Sequence, residues 1–531
     1  MTRPVQQNSG RTEEVPMTND WIRDRCRPLV VGLTAVTLTA GVALMVAAAV
    51  TGCRRGGGAA GSASDRPVAD DGRPHILVIG VDGLEWNVVL PLIRAGRMPN
   101  LEKLMERGSF GKLRTLAPTK SPVIWTTIAT GFGPEGHGIL DFMRPGAGGK
   151  KVLYTSRDRK TKALWNILTD AGRTMDVIGW WNTFPTEAIN GVMVSQANSM
   201  EQIRKRRLLK PGGMVRGVEG QVYPPSRQAE MWGIVEEVDR ELPSVLRGIF
   251  GDMGEIQSRL NRANWEASKW SVRADESYRR IALKLASERP LPDCFAVYFG
   301  MTDVVGHRFW RFQEPDVFAY PPTADAIKKF GHVIKDSYAW ADKSIGELVA
   351  RFPPETTVFV MSDHGMHAYN RSSRFVPGAY GKVEVESGAH KDAPPGLLVV
   401  AGPQIRKTDL GRPVTALRKE DLSEIASVDD ITPTILAMMD IPLGRDMDGR
   451  VLEHLFRPDF AERLKVKYVA THNTPQWLAS RGIKPQATPG ADERIEQLRS
   501  LGYLGGGPEE QRGGDKAEPT TAPASGRSEG P

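Results

Sequence analysis

Six acidic and imidazole side chains stand where apolar runs of the sequence end, in the stretches "VDG", "TDVVGH", "SDHGM" and "GAH". These residues are Asp82, Asp303, His307, Asp363, His364 and His390. Taken singly, each fits an ordinary turn, loop pair or helix cap. As a set, they exceed one tetrahedral zinc site and are too rich in nitrogen for calcium. The set therefore predicts a site for two divalent ions of the zinc type, which suits in-line displacement at phosphorus.

The elements that would position these side chains alternate along the chain. Apolar runs typical of strands buried on both faces are "HILVIGV", "TMDVIGWW", "CFAVYFG", "TTVFVM" and "GLLVVAG". Helical patterns lie between them, including "MPNLEKLMERG", "KALWNILTDAG" and "IKDSYAWADKSIGELVARF". This alternation predicts an α/β fold with a doubly wound, mostly parallel central sheet flanked by helices. Ligand sites of such sheets lie beyond the carboxyl ends of the strands, where these acids and histidines are expected.

The predicted catalytic domain covers residues 74–460 and contains one section with little strand signal. Residues 200–290 begin with Pro- and Gly-rich sequence and continue into Trp- and charge-rich sequence of helical pattern. We expect a mainly helical insertion that caps one end of the sheet; a solvent-facing helical hairpin is the alternative. Residues 461–504 would form a C-terminal extension, and the Gly-, Pro- and Glu-rich residues 505–531 are predicted to be disordered.

The first part of the chain, residues 1–53, has the pattern of an export signal. Basic residues precede the apolar run "PLVVGLTAVTLTAGVALMVAAAVTG", which is long enough to span a bilayer. The run ends in "AVTGC", which resembles a bacterial lipobox with Cys53 as the lipidated residue; an uncleaved single transmembrane helix is the alternative. Gly-, Ala- and Ser-rich residues 54–73 would be a flexible linker. Both alternatives anchor the chain to the membrane of the cell envelope, with the catalytic domain outside the cytoplasm.

Charge and cysteine content argue against other classes of protein. The formal net charge of +7 is modest for 531 residues, and dense basic sequence is limited to short runs such as "RKRR", so no nucleic-acid partner is expected. Three cysteines cannot form a disulfide framework. Cys294 lies within the apolar run "CFAVYFG", which indicates a small buried thiol in the core.

Five sequence motifs occur in the order found in the alkaline phosphatase superfamily. They are "VIGVDG", "APTKSPVIWTTIATGFGPEGHGILDF", "TDVVGH", "SDHGM" and "GAH". Over residues 75–452 the chain resembles the branch of type I phosphodiesterases and nucleotide pyrophosphatases. The late stretch "DDITPTILAMMDIPLGRDMDGRVL" is also similar to the family's closing helix and loop. The resemblance implies a metal-dependent phosphoric ester hydrolase with an alkaline phosphatase-like fold.

The resemblance also implies a role for each motif residue. The ligands of one divalent ion, together with the nucleophile, would be Asp82, Asp363 and His364. The ligands of the other would be Asp303, His307 and His390. Zn²⁺ is expected at both positions, with Mn²⁺ as the alternative. Counting back from the "TG" that precedes "FGPEGHGI" places the nucleophile at Ser121, with Thr119 as the second candidate; an ordinary turn or helix N-cap is the alternative for Ser121. A covalent phospho-Ser121 would form and then be hydrolysed.

One departure from the family pattern bears on the substrate. In the nucleotide pyrophosphatase branch an Asn shortly after "HGI" contacts a phosphoryl oxygen, and Phe142 stands at that place here. An aromatic ring cannot donate this hydrogen bond, so Lys120 and Asn182 are the candidate substitutes for binding substrate. The Cys/Ser-x-Pro-x-Arg signature of sulfatases is missing as well, because "SPVIW" lacks the Arg, which argues against a sulfatase.

The expected activity is hydrolysis of phosphate esters, of the phosphodiesterase or nucleotide pyrophosphatase type, on a nucleotide, a lipid headgroup or another small diester. Hydrolysis of phosphate monoesters and transfer of the phosphoryl group to an acceptor other than water are alternatives on the same fold. An anchored binding protein without turnover is the alternative from a different class. Trp180, Trp181 and Phe184 in "GWWNTFP" could stack on a base or headgroup, but packing in the core is the expected role.

Overall fold

The computed structural model of the chain covers the predicted catalytic domain. The described residues are 75–149, 151–196, 201–203, 208–210, 218–252, 259–369, 387–392 and 394–481. The predicted anchor, linker and tail lie outside the described residues, as does the predicted C-terminal extension beyond position 481. Within the described ranges, no helix is both long enough and apolar enough to cross a membrane.

The described residues form 17 strands, numbered here in the order in which they occur along the chain. They are β1 (Ile76–Val81), β2 (Ser109–Arg114), β3 (Met143–Pro145), β4 (Lys151–Leu153), β5 (Met175–Ile178), β6 (Met193–Val194), β7 (Glu201–Ile203), β8 (Leu208–Lys210), β9 (Val222–Tyr223), β10 (Cys294–Phe299), β11 (Thr357–Met361), β12 (His367–Ala368), β13 (Gly388–Ala389), β14 (Gly396–Ala401), β15 (Glu424–Ser427), β16 (Leu443–Gly444) and β17 (Tyr468–Val469).

The helices of the described residues lie mostly between the strands. They are α1 (Trp86–Arg94), α2 (Pro99–Arg107), α3 (Ser121–Thr130), α4 (Pro134–His137), α5 (Leu164–Asp170), α6 (Gln228–Phe250), α7 (Arg259–Leu285), α8 (Met301–Gln313), α9 (Ala324–Phe330), α10 (Val333–Val349), α11 (Ile431–Met438), α12 (Pro458–Ala461) and α13 (Pro475–Arg481). The three helical patterns recognised in the sequence are α2, α5 and α10.

Nine strands form the main sheet, in the spatial order β15-β2-β14-β11-β1-β10-β5-β6-β9. The central strand β1 pairs in parallel with both β10 and β11, and β10 pairs in parallel with β5. Within this described sheet, β14 and β9 run against the other strands. The sheet is mostly parallel and has helices on both faces, which confirms the predicted α/β class.

The direction of β14 decides where the residues before it lie. Because β14 is antiparallel to β11, its first residues lie at the edge of the sheet where β1, β10 and β11 end. His390, which precedes β14 in the chain, therefore arrives at the same edge as Asp82. A parallel β14 would have placed His390 at the opposite edge, so the strand direction is needed for the expected cluster.

The side chains on the two sides of β1 pack against different helices. Its odd-numbered residues belong to a buried apolar cluster with side chains of α7, α8 and α10. Its even-numbered Ile76 and Val78 belong to a second cluster with side chains of α3, α5 and α11. Side chains alternate along a strand, so Gly80 and then Asp82 continue on the second face, beside α3. The core thus has two apolar layers with the sheet between them.

The segment predicted as a mainly helical insertion, residues 200–290, contributes the long helices α6 and α7. The two helices pack together, and Arg273 of α7 forms an ion pair with Asp239 of α6 at 2.5 Å. Helix α7 also packs against β10 and α8, so it belongs to the layer that covers the sheet, and β9 joins the sheet edge. The role of this segment as a cap over the site remains a prediction.

The aromatic residues of "GWWNTFP" and the cysteine of β10 are buried. Trp180, Trp181 and Phe184 are at most 9% exposed, which agrees with the expected packing role. The Cys294 thiol is free and fully buried, as expected for a core residue.

Candidate active site

The turn after β1 brings Asp82 next to α8. The Asp82 N–H donates to the Phe299 carbonyl at 2.9 Å and extends the pairing of β1 with β10 by one residue. The next residue, Gly83, has a φ of +72°, and a Cβ built on it would lie 3.0 Å from the Asp303 Cα. Glycine is suited to this position because the turn needs both a left-handed backbone and close contact with α8.

The loop after β11, which carries "SDHGM", is bonded to the same turn. The Ser362 hydroxyl accepts the Leu84 N–H and donates to the His364 carbonyl, both at 2.8 Å. The buried Glu85 carboxylate accepts the Met366 N–H at 3.2 Å. These bonds cross-link the ends of β1 and β11, so Asp363 and His364 are held beside Asp82.

A first group of buried candidate ligands consists of Asp82, Asp363 and His364. His364 Nε2 lies 3.3 Å from Asp82 Oδ1 and 3.3 Å from Asp363 Oδ2. Its Nδ1–H donates to the Gly365 carbonyl at 3.0 Å, so the lone pair of Nε2 faces the two carboxylates. Among the described residues, both Asp363 oxygens, Asp82 Oδ1 and His364 Nε2 have no hydrogen-bond partner.

This arrangement fits a cation. Burial raises the pKa of Asp363 well above its usual value, and the neighbouring Asp82 carboxylate raises it further. Burial likewise raises the pKa of Asp82, with a second contribution from Asp303. Buried carboxylate oxygens without donors, here Asp82 Oδ1 and the two Asp363 oxygens, are costly unless they bind a cation, and an imidazole lone pair beside them is a suitable further ligand.

A second group consists of Asp303 and His307 of α8 together with His390. His307 Nε2 lies 3.4 Å from Asp303 Oδ1 and 3.2 Å from His390 Nε2, and His390 Nε2 lies 3.7 Å from Asp303 Oδ1. The His307 Nδ1–H donates to the Gly388 carbonyl at 2.9 Å, which turns Nε2 toward the group. Although burial opposes ionisation, His307 and the other histidines lower the pKa of Asp303. Burial and the nearby His364 lower the pKa of His390 well below its ordinary value.

The two groups adjoin, with His364 between them. The His364 and His390 rings stack with their centroids 3.8 Å apart. One ligand atom from each of Asp303, His364 and His390 lies within 4.8 Å of the others, and the same holds for Asp82, Asp363 and His364. All six side chains expected from the sequence therefore meet at one edge of the sheet. Their roles as metal ligands, and the division into two sets of three, remain predictions.

Asp275 of α7, which no sequence motif indicated, supports the second group. Its carboxyl group accepts the Gly300 N–H at 3.0 Å and the Met301 N–H at 2.7 Å, at the start of α8. Burial raises the pKa of Asp275 to about 8. A signal was present: Asp275 shares a helical face with the buried Val272 and Tyr278, where an acidic residue is unusual.

Ser121 is the first residue of α3 and is 1% exposed. Its hydroxyl has no hydrogen-bond partner among the described residues. The Thr119 hydroxyl, by contrast, donates to the Leu116 carbonyl at 3.4 Å. Helix α3 also reaches the first group, because Trp125 Nε1–H donates to Asp82 Oδ2 at 3.1 Å. These contacts favour Ser121 over Thr119 as the nucleophile, which remains a prediction.

The two residues expected to bind substrate both adjoin the start of α3: Lys120 precedes the helix, and Asn182 contacts its first turns from the loop after β5. Lys120 Nζ forms an ion pair with Asp141 Oδ2 at 2.6 Å. Asn182 donates from Nδ2 to the Pro122 carbonyl at 3.0 Å and to Thr126 Oγ1 at 2.9 Å. The structure thus gives Asn182 a role in holding the first turns of α3, and contact of either residue with substrate remains a prediction.

Phe142, which the sequence motif aligns with the family's Asn as an expectation, is 3% exposed. Its ring packs edge-on against Trp181, with the centroids 5.8 Å apart. The aromatic substitution therefore extends the core beneath the loop that follows "HGI".

His137 of the "HGI" stretch is a buried support of α3. Its Nδ1 accepts the Ile139 N–H at 3.1 Å, which leaves the Nε2–H to donate to Thr127 Oγ1 at 3.0 Å. Burial, and then the Arg159 charge, lower the pKa of His137 to about 3. A neutral imidazole is required by this pair of bonds, so His137 links α3 to the loop that carries Asp141.

Buried carboxylates and imidazoles at the carboxyl edge of a mostly parallel sheet, together with a buried serine at a helix start, are the arrangement expected of a phosphoric ester hydrolase, and their role as its active site remains a prediction. The model of the type I phosphodiesterase / nucleotide pyrophosphatase family matches residues 76–396, which is more than half of the chain. The chain belongs to this family and, as predicted, to the alkaline phosphatase superfamily. No curated protein sequence matches the chain.

Several solved structures are similar to this chain. Phosphonoacetate hydrolase from Sinorhizobium meliloti is 18% identical, with a TM-score of 0.32; the match covers 56% of this chain and 57% of that one. Human ectonucleotide pyrophosphatase/phosphodiesterase 5 is 14% identical, with a TM-score of 0.40, and covers 72% of this chain and 100% of its own. An inactive murine form of the latter, in complex with AMP, is 12% identical, with a TM-score of 0.41 and the same coverage.

Proposed function

We propose that the chain hydrolyses small phosphate diesters, with two divalent cations and Ser121 as the nucleophile. The supporting observation is the set of buried ligand atoms without hydrogen-bond partners among the described residues: Asp82 Oδ1, both Asp363 oxygens and His364 Nε2. Asp82, Asp363 and His364 would hold one cation with Ser121, and Asp303, His307 and His390 the other. Zinc is the expected metal because the ligands combine imidazoles with carboxylates, and manganese is the alternative.

When bound, the two cations would neutralise charge on the phosphoryl oxygens and lower the pKa of the serine hydroxyl and of water. Ser121 Oγ attacks phosphorus, the bond from phosphorus to one ester oxygen breaks, and that alcohol leaves with a proton. Water then attacks the phospho-Ser121 phosphorus, the bond to Oγ breaks, and the Ser121 hydroxyl is restored with release of the phosphate monoester. The uncapped start of α3, which carries the nucleophile, presents its positive dipole end to the anionic substrate.

Phosphodiesterase activity is proposed ahead of nucleotide pyrophosphatase activity because residue 142 departs from the pattern of the nucleotide pyrophosphatase branch. The buried Phe142 ring cannot donate a hydrogen bond to a phosphoryl oxygen. A nucleotide, a lipid headgroup or another small diester fits this chemistry. The identity of the alcohol would depend on the walls of the pocket, for which residues 200–290 are the proposed source.

The test uses the full chain in a mild detergent after exhaustive dialysis. Metal content is counted, and turnover is compared on a nitrophenyl phosphate monoester, a nitrophenyl phosphate diester and a nitrophenyl sulfate. We expect about two zinc-type ions per chain, with turnover fastest on the diester. Ser121→Ala should abolish diester turnover and retain metal, whereas the matched Thr119→Ala should retain turnover. No metal and no turnover after addition of zinc or manganese would leave an anchored binding protein.

We also propose that the catalytic domain is exported and anchored in the cell envelope. The support is the basic and apolar sequence of residues 1–53, which ends at Cys53. Mass spectrometry of the N-terminal peptide distinguishes a lipidated Cys53 from an uncleaved transmembrane helix. Recovery of the full-length chain in the soluble cytoplasmic fraction, without detergent, would contradict the proposal.

A further inference from the structure

We infer that Trp125 and Tyr298 are positioning residues that hold one oxygen of Asp82 so that the other is turned toward a bound cation. The Tyr298 hydroxyl donates to Asp82 Oδ2 at 2.6 Å, and Trp125 Nε1–H donates to the same oxygen at 3.1 Å. Asp82 Oδ1 accepts no hydrogen bond from the described residues and lies 3.3 Å from His364 Nε2. The inference rests on the proposed metal-dependent function and adds residues to it.

The asymmetry between the two oxygens of Asp82 is the central observation. All three side chains are at most 5% exposed, so water does not compete for these bonds. Hydrogen bonds to a buried carboxylate fix its rotation, because each donor points to one lone-pair direction. With Oδ2 occupied by two donors, Oδ1 is the atom directed at the first group of ligands. Partners of this kind orient ligands in many metal sites.

The register of the sheet places Tyr298 below Asp82. Tyr298 on β10 pairs with Gly80 on the neighbouring β1, and Gly80 lies on the same face as Asp82, two residues away. A Cβ on Gly80 would lie 2.6 Å from the Trp125 ring, so the missing side chain leaves the room that the indole fills. The rings of Trp125 and Tyr298 then meet edge to face, with the centroids 5.2 Å apart.

Trp125 also connects the nucleophile to the ligand. It follows Ser121 by four residues in α3, so the two side chains share one helical face. Trp180 Nε1–H donates to the Trp125 carbonyl at 3.0 Å and holds this turn of the helix from behind. The bond from Trp125 to Asp82 therefore fixes α3 relative to the first group of ligands.

The experiment compares full-length Tyr298→Phe and Trp125→Phe with the wild type and with Tyr338→Phe. The control removes an equally buried hydroxyl next to the same turn, which donates to the Gly83 carbonyl at 2.9 Å and accepts the Glu85 N–H at 3.0 Å, but does not contact the Asp82 carboxylate. Zn²⁺ affinity is measured without substrate, by competition with a chromophoric chelator. The Tm of the metal-free chain and the kcat and KM on a nitrophenyl diester are measured in parallel.

We expect Tyr298→Phe to weaken binding of one Zn²⁺ by about 10- to 100-fold and to lower kcat by a similar factor with little change in KM. Trp125→Phe, which removes the longer bond, should act in the same direction, and it provides a second variant if Tyr298→Phe does not fold. Tyr338→Phe should lower the Tm and keep the Zn²⁺ affinity within about 2-fold of the wild type, because it leaves the carboxylate bonds intact.

Three results would overturn the inference, and they differ from one another. Wild-type Zn²⁺ affinity in both Tyr298→Phe and Trp125→Phe would show that these residues only fill the core. An equal loss of affinity in Tyr338→Phe would attribute the effect to a loosened turn. A wild-type chain that binds no divalent cation would contradict the proposed function itself, and the inference with it.

Discussion

Helices α3 and α8 both begin at the candidate site, on opposite faces of the sheet. They differ in whether a side chain accepts the backbone N–H groups of the first turn. At the start of α8, Asp275 accepts the N–H groups of Gly300 and Met301. At the start of α3, among the described residues, no side chain accepts the Ser121 N–H; the preceding Lys120 side chain has no acceptor atom and pairs with Asp141. Helix α3 is held further along, through its side chains and carbonyls.

The difference indicates that the two helices have different roles at the candidate site. The N-terminus of α8 is already occupied by a carboxyl group, so this helix serves as a fixed support for Asp303 and His307. The N-terminus of α3 remains open to an anion, which suits a helix that carries the proposed nucleophile. Four changes, from the largest expected effect to the smallest, test this difference.

Removal of the proposed ligand His307 from α8 should have the largest effect. His307→Ala should reduce the metal content from about two ions per chain to about one. It should also lower kcat/KM by more than about 100-fold, because loss of a residue that merely orients a metal ligand already costs about 10- to 100-fold. Metal analysis and diester kinetics measure both effects. His332→Ala removes a histidine that pairs with Asp336, outside both ligand groups, and should retain metal and turnover. Two tightly bound ions in His307→Ala would exclude His307 as a ligand.

Removal of the cap of α8 should come next. Asp275→Ala leaves the Gly300 and Met301 N–H groups without their acceptor and should weaken binding of one cation by about 10- to 100-fold. The free energy of unfolding should fall by about 1–3 kcal/mol. Asp176→Ala is the matched control, because Asp176 is also buried and accepts one backbone N–H, that of Val192. Asp176→Ala should lower the free energy of unfolding and leave metal binding unchanged. Equal loss of metal in both variants would show that Asp275 has no specific role in metal binding.

Much of this site could be predicted from the sequence because its candidate ligands closely follow apolar strands. Asp82, Asp363 and Asp303 each lie within four residues of a strand end, so local pattern alone placed them at one edge. His390 needed the antiparallel direction of β14, which no local signal gives. Asp275 was missed because its partners are 25 and 26 residues away in the sequence, and such pairing follows from packing rather than from local periodicity.

Acid should weaken the supports of α3 through His137. Its folded-state pKa of about 3 is below the ordinary 6.5, so the unfolded chain gains the proton first as the pH falls. The contribution to stability is complete above about pH 6.5 and is lost toward pH 3, at up to about 1.4 kcal/mol per pH unit.

Urea unfolding of the metal-free chain at pH 7 and pH 5 measures this slope. His137→Gln keeps one acceptor and one donor without titrating, so its stability should change less between the two pH values. His454→Gln changes an exposed histidine that contacts the Ile425 carbonyl and should behave as the wild type. Equal slopes in His137→Gln and the wild type would contradict the buried neutral imidazole.

The smallest effect is expected at Asn182, where two interpretations of one residue compete. Its amide donates to the Pro122 carbonyl and Thr126 Oγ1, so Asn182→Ala should lower the free energy of unfolding by about 1–3 kcal/mol, the sum of two ordinary hydrogen bonds. If Asn182 only holds α3, kcat should fall a few-fold while KM stays the same, because a less fixed Ser121 reacts more slowly but the substrate contacts remain. A raised KM with unchanged stability would instead show that Asn182 binds the phosphoryl group, as the sequence suggested. In that case the first turn of α3 would have both an open N-terminus and a neighbouring residue that binds substrate. The first turn of α8, which Asp275 caps, would then differ from it in both respects.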